Sequence, residues 1–102
     1  MSGKESEFGS SRAAIVLSDM LQKEPHCHRP VMRLFNDFCL TLHQIEIIKR
    51  SATRAFVYYL VRSDYCNKIQ KSRWPATIKT YALNIVIAKC KLFEKTFEIN
   101  PN

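Results

Sequence analysis

Residues 75–97 read PATIKTYALNIVIAKCKLFEKTF, the longest strongly apolar segment of the chain. At the helical advance of about 100° per residue, Ile78, Ala82, Ile85, Val86, Leu92 and Phe93 share one side, with Tyr81 at its edge. Leu83, Ile87, Cys90 and Phe97 widen that surface, leaving Thr80, Asn84, Lys91, Glu94 and Lys95 as a narrow polar strip. A helix apolar almost all round belongs in the middle of a core rather than at its edge. Pro75 suits a first helical turn, where its missing N–H has no intrahelical partner to lose. Ser72 is the expected N-cap, its hydroxyl accepting from the Trp74 backbone N–H. Lys89 falls inside the apolar arc, so either its stem snorkels to the surface or the helix ends before it.

Working outward, the chain has 102 residues, one domain's worth, able to bury roughly 60–65% of its unfolded surface. It is 46% hydrophobic and 25% charged, a globular balance rather than a disordered one. Two glycines and four prolines supply few tight turns, and few turns mean few, long elements. The expected fold is all-α: a compact bundle of about four helices around a buried C-terminal helix. Residues 1–10 read as a flexible polar tail and residues 11–98 as a single helical domain.

From Ser11 the pattern turns helical, with Ala14, Leu17, Ser18 and Leu21 at i, i+3, i+4 and i+7. Pro25 closes this helix, because the residue before a proline is pushed out of the α region. Residues 24–30, EPHCHRP, read as a stiff connector, and Pro30 opens the best amphipathic helix of the chain. Its apolar stripe is Val31, Leu34, Phe35, Phe38, Leu42 and Ile45, opposite Arg33, Asn36, Asp37, Thr41 and Gln44. Lys49 and Arg50 lie in or just after its last turn, where cations offset the negative end of the helix dipole. Ser51 caps a third helix from Ala52 to about Asp64, continuing or restarting as YCNKIQKS. The segment AFVYYLV is rich in aromatic and β-branched residues, a strand signature. It carries an alternative, an α+β fold with short strands near 55–62, 82–88 and 93–99. The helical reading is preferred because no glycine or Asn-Gly turn separates the candidate strands.

Cys27, Cys39, Cys66 and Cys90 are expected as four thiols in an intracellular setting, nucleus or cytoplasm. Glu5 and Glu7 occupy positions where a secretory signal is basic, and Cys39 and Cys90 fall within or beside apolar helical faces, where free cysteine acts as a small hydrophobe. No apolar run approaches the roughly 18–20 residues of a membrane span.

Charge is distributed unevenly. Residues 1–48 hold five Lys/Arg and six Asp/Glu, a net of −1, whereas residues 49–102 hold eleven and three, a net of +8. A basic half-domain attracts polyanions such as nucleic acid or an acidic protein surface. The densest part is Lys68, Lys71, Arg73 and Lys79 around Trp74, at a helix start where free N–H groups and the dipole add to the side-chain charge. With Arg54 and Arg62 these are the candidate contact residues. Tyr58, Tyr59, Tyr65 and Tyr81 stack on bases if exposed, although their near-helical spacing fits core packing better. The plainer reading of the cluster is a solvated turn with Trp74 folded down to staple two helices.

His26, Cys27, His28, Cys39 and His43 form a second constellation, with Cys39 and His43 at i, i+4. Their order departs from the paired ligand spacing of zinc sites, so no metal or other cofactor is expected. Catalysis has little support: the two glycines, Gly3 and Gly9, build no phosphate loop, no carboxylate pair suggests acid–base work, and Cys66 has only Asp64 beside it. The expected function is a non-catalytic helical interaction module that binds nucleic acid or acts within a nucleoprotein complex. The alternative is a protein–protein adaptor or homo-oligomer joined through exposed apolar helix faces. Neither involves a membrane.

Overall fold

Pro75 stands immediately before the helix it was expected to open, its carbonyl accepting the Lys79 N–H at 3.0 Å. The structure, a computed structural model, describes residues 11–99; the expected tail, 1–10, lies outside them. Among the described residues four helices follow one another: α1 (Ser11–Lys23), α2 (Pro25–Glu46), α3 (Ser51–Lys71) and α4 (Ala76–Ile99). All are packed together as an all-α bundle, and no strand occurs among the described residues. The three segments with strand-like composition, 55–62, 82–88 and 93–99, are helical throughout. Aromatic and β-branched content is a weak preference, and burial of one face along 21 residues of α3 overrides it.

The α1–α2 junction departs most from expectation. Only Glu24 separates the two helices. Its N–H reaches the Met20 and Leu21 carbonyls at 3.1 and 3.2 Å, and its own carbonyl accepts the Cys27 N–H at 2.9 Å. The supposed connector EPHCHRP is thus the first turns of α2, with Pro25 at the start and Pro30 inside the helix. Pro30 withholds an N–H from the turn before it, yet Pro30, His26 and Arg29 are all solvent-exposed, so the freed acceptor faces water. Cys27 and Val31, i and i+4 on the opposite side, are buried and hold the helix through the proline.

Two other caps differ. Arg50, not Ser51, is the N-cap of α3, with extended backbone and no side-chain bond; the Arg54 N–H closes the first turn onto its carbonyl at 2.9 Å. Ser72 chiefly ends α3: its hydroxyl donates to the Ile69 carbonyl at 2.6 Å. It also accepts from the Trp74 N–H, at 3.4 Å.

Among the described residues α2 and α4 each touch all three other helices, whereas α1 and α3 do not touch each other. The main core joins Phe38, Leu42 and Ile45 of α2, Tyr58, Tyr65 and Ile69 of α3, and Ala82, Val86, Cys90 and Phe93 of α4. A second cluster joins Leu17 and Leu21 of α1 to Cys27, Val31 and Ile78. The buried alanine of α1 is Ala13 rather than Ala14, so the inward face is turned by one residue from the expected stripe. Lys89 is half-buried within a helix that runs on past it, so the alternative in which the helix ends before it is overturned.

Across α3 and α4 the contacts are antiparallel. Tyr58 is fully buried, and its ring packs on Phe93 and Phe97 at 5.3 and 5.4 Å. Its hydroxyl donates to the Cys90 carbonyl at 3.2 Å and to the Glu94 carboxylate, which Arg62 engages at 3.2 Å. Burial foremost, then the hydrogen bond to Glu94, raises the Tyr58 pKa well above the ordinary tyrosine range.

Candidate interaction surface

Antiparallel pairing sorts the expected contact residues into two groups. Arg62 is tied to Glu94, and the Arg54 guanidinium lies 5.5 Å from the centre of the Phe97 ring. Both are half-buried and serve the α3–α4 seam. Lys68, Lys71, Arg73 and Lys79 gather at the other end, around the α3–α4 turn; Lys68 is 14 residues from Arg54 on the same helix, about 21 Å at 1.5 Å per residue. Lys79 donates to the Gln70 carbonyl at 3.0 Å, engaging an open carbonyl near the end of α3. Lys68 pairs with Asp64 at 3.4 Å and lies 4.6 Å from the Tyr65 ring centre. Lys71 and Arg73 are exposed. Trp74 is half-buried and packs against both core clusters. Of the four tyrosines, Tyr58 and Tyr65 are buried and Tyr81 is half-buried; Tyr59 alone is exposed.

Two features were not read from the sequence. Arg29 and Arg33 of α2 line a groove of about 270 Å³ with Leu34, Asp37, Tyr65 and Lys68, adding cations to the Lys68 end. The larger omission is the outward face of α3. Phe56, Tyr59 and Leu60 are 65%, 53% and 56% exposed and stand at i, i+3 and i+4, the spacing that makes neighbours on a helix surface. The Tyr59 ring rests edge-on against Tyr58 at 4.9 Å, so it is held in place. The signal was present in residues 56–61, FVYYLV: six consecutive large apolar side chains on a helix cannot all face one core. Ile15, Leu40 and Ile47 are also exposed, but scattered single apolar residues are ordinary.

The Cys–His constellation does not assemble as a whole: His26 and Cys27 stay close together, and Cys39 and His43 lie elsewhere. Cys27 and Cys39 lie on one helix twelve residues apart, about 18 Å. Cys39 and His43 line a separate groove of about 250 Å³ between α2 and α4, with Glu46, Lys89 and Phe93. All four cysteines are free. Burial raises the Cys66 thiol pKa against a lowering by Arg62, and burial likewise raises Cys90; neither is prepared as a thiolate nucleophile. No described helix is long and apolar enough to cross a membrane.

Comparison of the chain with protein-family models, with curated proteins and with solved structures finds no match.

Proposed function

We propose that the chain is a non-catalytic protein-interaction module that docks an amphipathic, acid-flanked helix of a partner on the outward face of α3. The observation that carries this reading is the exposed Phe56–Tyr59–Leu60 stripe. Aromatic anchors with few rotatable bonds are the side chains that dominate interfaces. Burying the exposed part of Phe56, Tyr59 and Leu60 contributes about 1–2 kcal/mol each, from which the ordering costs of association are subtracted.

Charge selects the occupant. Lys49 and Arg50 precede the stripe and Lys71 and Arg73 follow it, all exposed, while Asp64 on the same helix is paired with Lys68. A second copy laid antiparallel on α3 brings the Lys68–Lys71 end of one chain over the Lys49–Arg50 end of the other. Like charges so placed suppress self-association; acidic flanks satisfy both ends.

A photocrosslinking phenylalanine analogue at position 59 tests the reading in cell extract, with the joined segments sequenced by mass spectrometry. The expected adduct is a helix-forming segment flanked by Asp or Glu, lost when Phe56→Glu and Leu60→Glu are combined. Adducts only to a second copy, or none, overturn it.

A second reading rests on the α2–α3 groove, where Arg29, Arg33 and Lys68 converge. There the module holds a polyanion such as nucleic acid. Affinity for a labelled duplex or RNA then falls steeply with salt and is lost when Arg29→Glu and Arg33→Glu are combined; a salt-independent response refutes this reading.

A further inference from the structure

The α1–α2 junction brings together three side chains of different chemistry. Glu24, His26 and Cys27 each offer a ligand atom, and these lie within 4.8 Å of one another. Glu24 is the N-cap of α2 but makes no side-chain capping bond, so its carboxylate is available to the cluster. The His26 Nε2 stands 3.5 Å from the Glu24 Oε1. Cys27 is only 3% exposed, and its Sγ lies within 4.8 Å of a ligand atom on each of the other two. Pro25, between Glu24 and His26, fixes the backbone that carries them.

We propose that Glu24, His26 and Cys27 bind a borderline-soft divalent ion, zinc by the chemistry of the set, with water completing four-coordination. Thiolate, imidazole and carboxylate are the three ligand types zinc takes, at about 2.3, 2.0 and 2.0–2.2 Å. Tetrahedral bonds of that length separate ligand atoms by roughly 3.3–3.8 Å, so the cluster must contract by about 1 Å. The Glu24 and His26 side chains are 42% and 75% exposed and can swing inward, whereas Cys27 is anchored by the second core cluster. Binding releases the thiol proton to solvent, and two anionic ligands with one neutral imidazole balance the dication. Carboxylate and thiolate are also the groups that a helix N-terminus favours. His28, Cys39 and His43 are not ligands, and the site does not involve the α3 stripe.

The test uses the full chain, stripped of metal by chelator and kept reduced, titrated with cobalt(II). The expected result is a near-ultraviolet thiolate-to-cobalt band with the intense visible bands of a four-coordinate ion, displaced by one equivalent of zinc. Cys27→Ser removes the near-ultraviolet band. His26→Ala and Glu24→Gln, surface changes whose folding is checked by circular dichroism, each weaken cobalt at least ten-fold. His28→Ala, Cys39→Ser and the Phe56→Glu/Leu60→Glu pair leave it unchanged. No band in the wild-type chain, a band that survives Cys27→Ser, or equal loss in His26→Ala and His28→Ala overturns the proposal.

Discussion

Replacing Tyr58 by Phe deletes one oxygen from the α3–α4 seam and leaves the ring contacts with Phe93 and Phe97 in place. No apolar cavity opens, so the cost is that of the hydroxyl's bonds alone. A hydrogen bond to a charged group contributes about 1.5–3 kcal/mol. Glu94 keeps Arg62 at 3.2 Å and is half-buried, so it is not left without a partner, which sets the loss near the lower end, about 1.5–2 kcal/mol. For a domain of this size that lowers Tm by roughly 6–15 °C. The same hydroxyl carries a pH signature. Its pKa is raised in the folded state, so its contribution is complete below the unfolded value of about 10 and is lost as pH rises above it. The unfolded chain ionises there and the folded chain does not, so the gap between wild type and Tyr58→Phe shrinks by up to about 1.4 kcal/mol per pH unit. Urea denaturation followed by circular dichroism at pH 8 and at two points above pH 10 measures both. A variant within about 0.5 kcal/mol of wild type at pH 8, or a gap that does not shrink in alkali, refutes the reasoning.

Pro30→Ala restores an N–H to the α2 ladder at an exposed site and is expected to raise stability by about 1–2 kcal/mol, net of the entropy that proline removes from the unfolded chain; a fall in the urea midpoint contradicts it. Phe38→Ala empties the centre of the main core, where Phe38 is fully buried and packed on Tyr65 at 5.0 Å. A loss of about 3–5 kcal/mol follows, read from the same denaturation curves, and a loss under about 1.5 kcal/mol is inconsistent with the packing described. Under native conditions a thiol reagent should modify the groove-lining Cys39 before Cys27 and Cys90, which are buried and whose pKa values burial raises. Peptide mapping of the alkylated protein decides the order, and early labelling of Cys90 contradicts it.

Long amphipathic stretches were legible because periodicity integrates over many residues: the stripe Val31–Ile45 and the broad arc of residues 78–97 both appear as buried faces. Junctions were less so. One proline both ended α1 and began α2, and Pro30 was tolerated inside a helix because its solvent-facing side leaves the freed carbonyl to water, a tertiary circumstance that local rules do not contain. The strand signature of residues 55–61 misled for a related reason, since composition reports side-chain type and not which neighbours a face finds. The basic cluster was legible as charge, but the division of labour within it was not. Arg54 and Arg62 serve the seam because α4 returns antiparallel and places Phe97 and Glu94 beside them, and only the paired helices reveal that. The outward stripe of α3 was legible in principle, because six bulky apolar neighbours exceed what one inward face accommodates.

The two core clusters have different owners. α1 belongs only to the smaller one, and Phe35 and Trp74 lean on both. Losing the first helix would therefore uncover the smaller cluster and leave the α3–α4 seam intact, the kind of partial opening that amide exchange separates from global unfolding. Trp74 is the sole tryptophan and sits where the two regions meet, so the protein carries its own fluorescent gauge of that event.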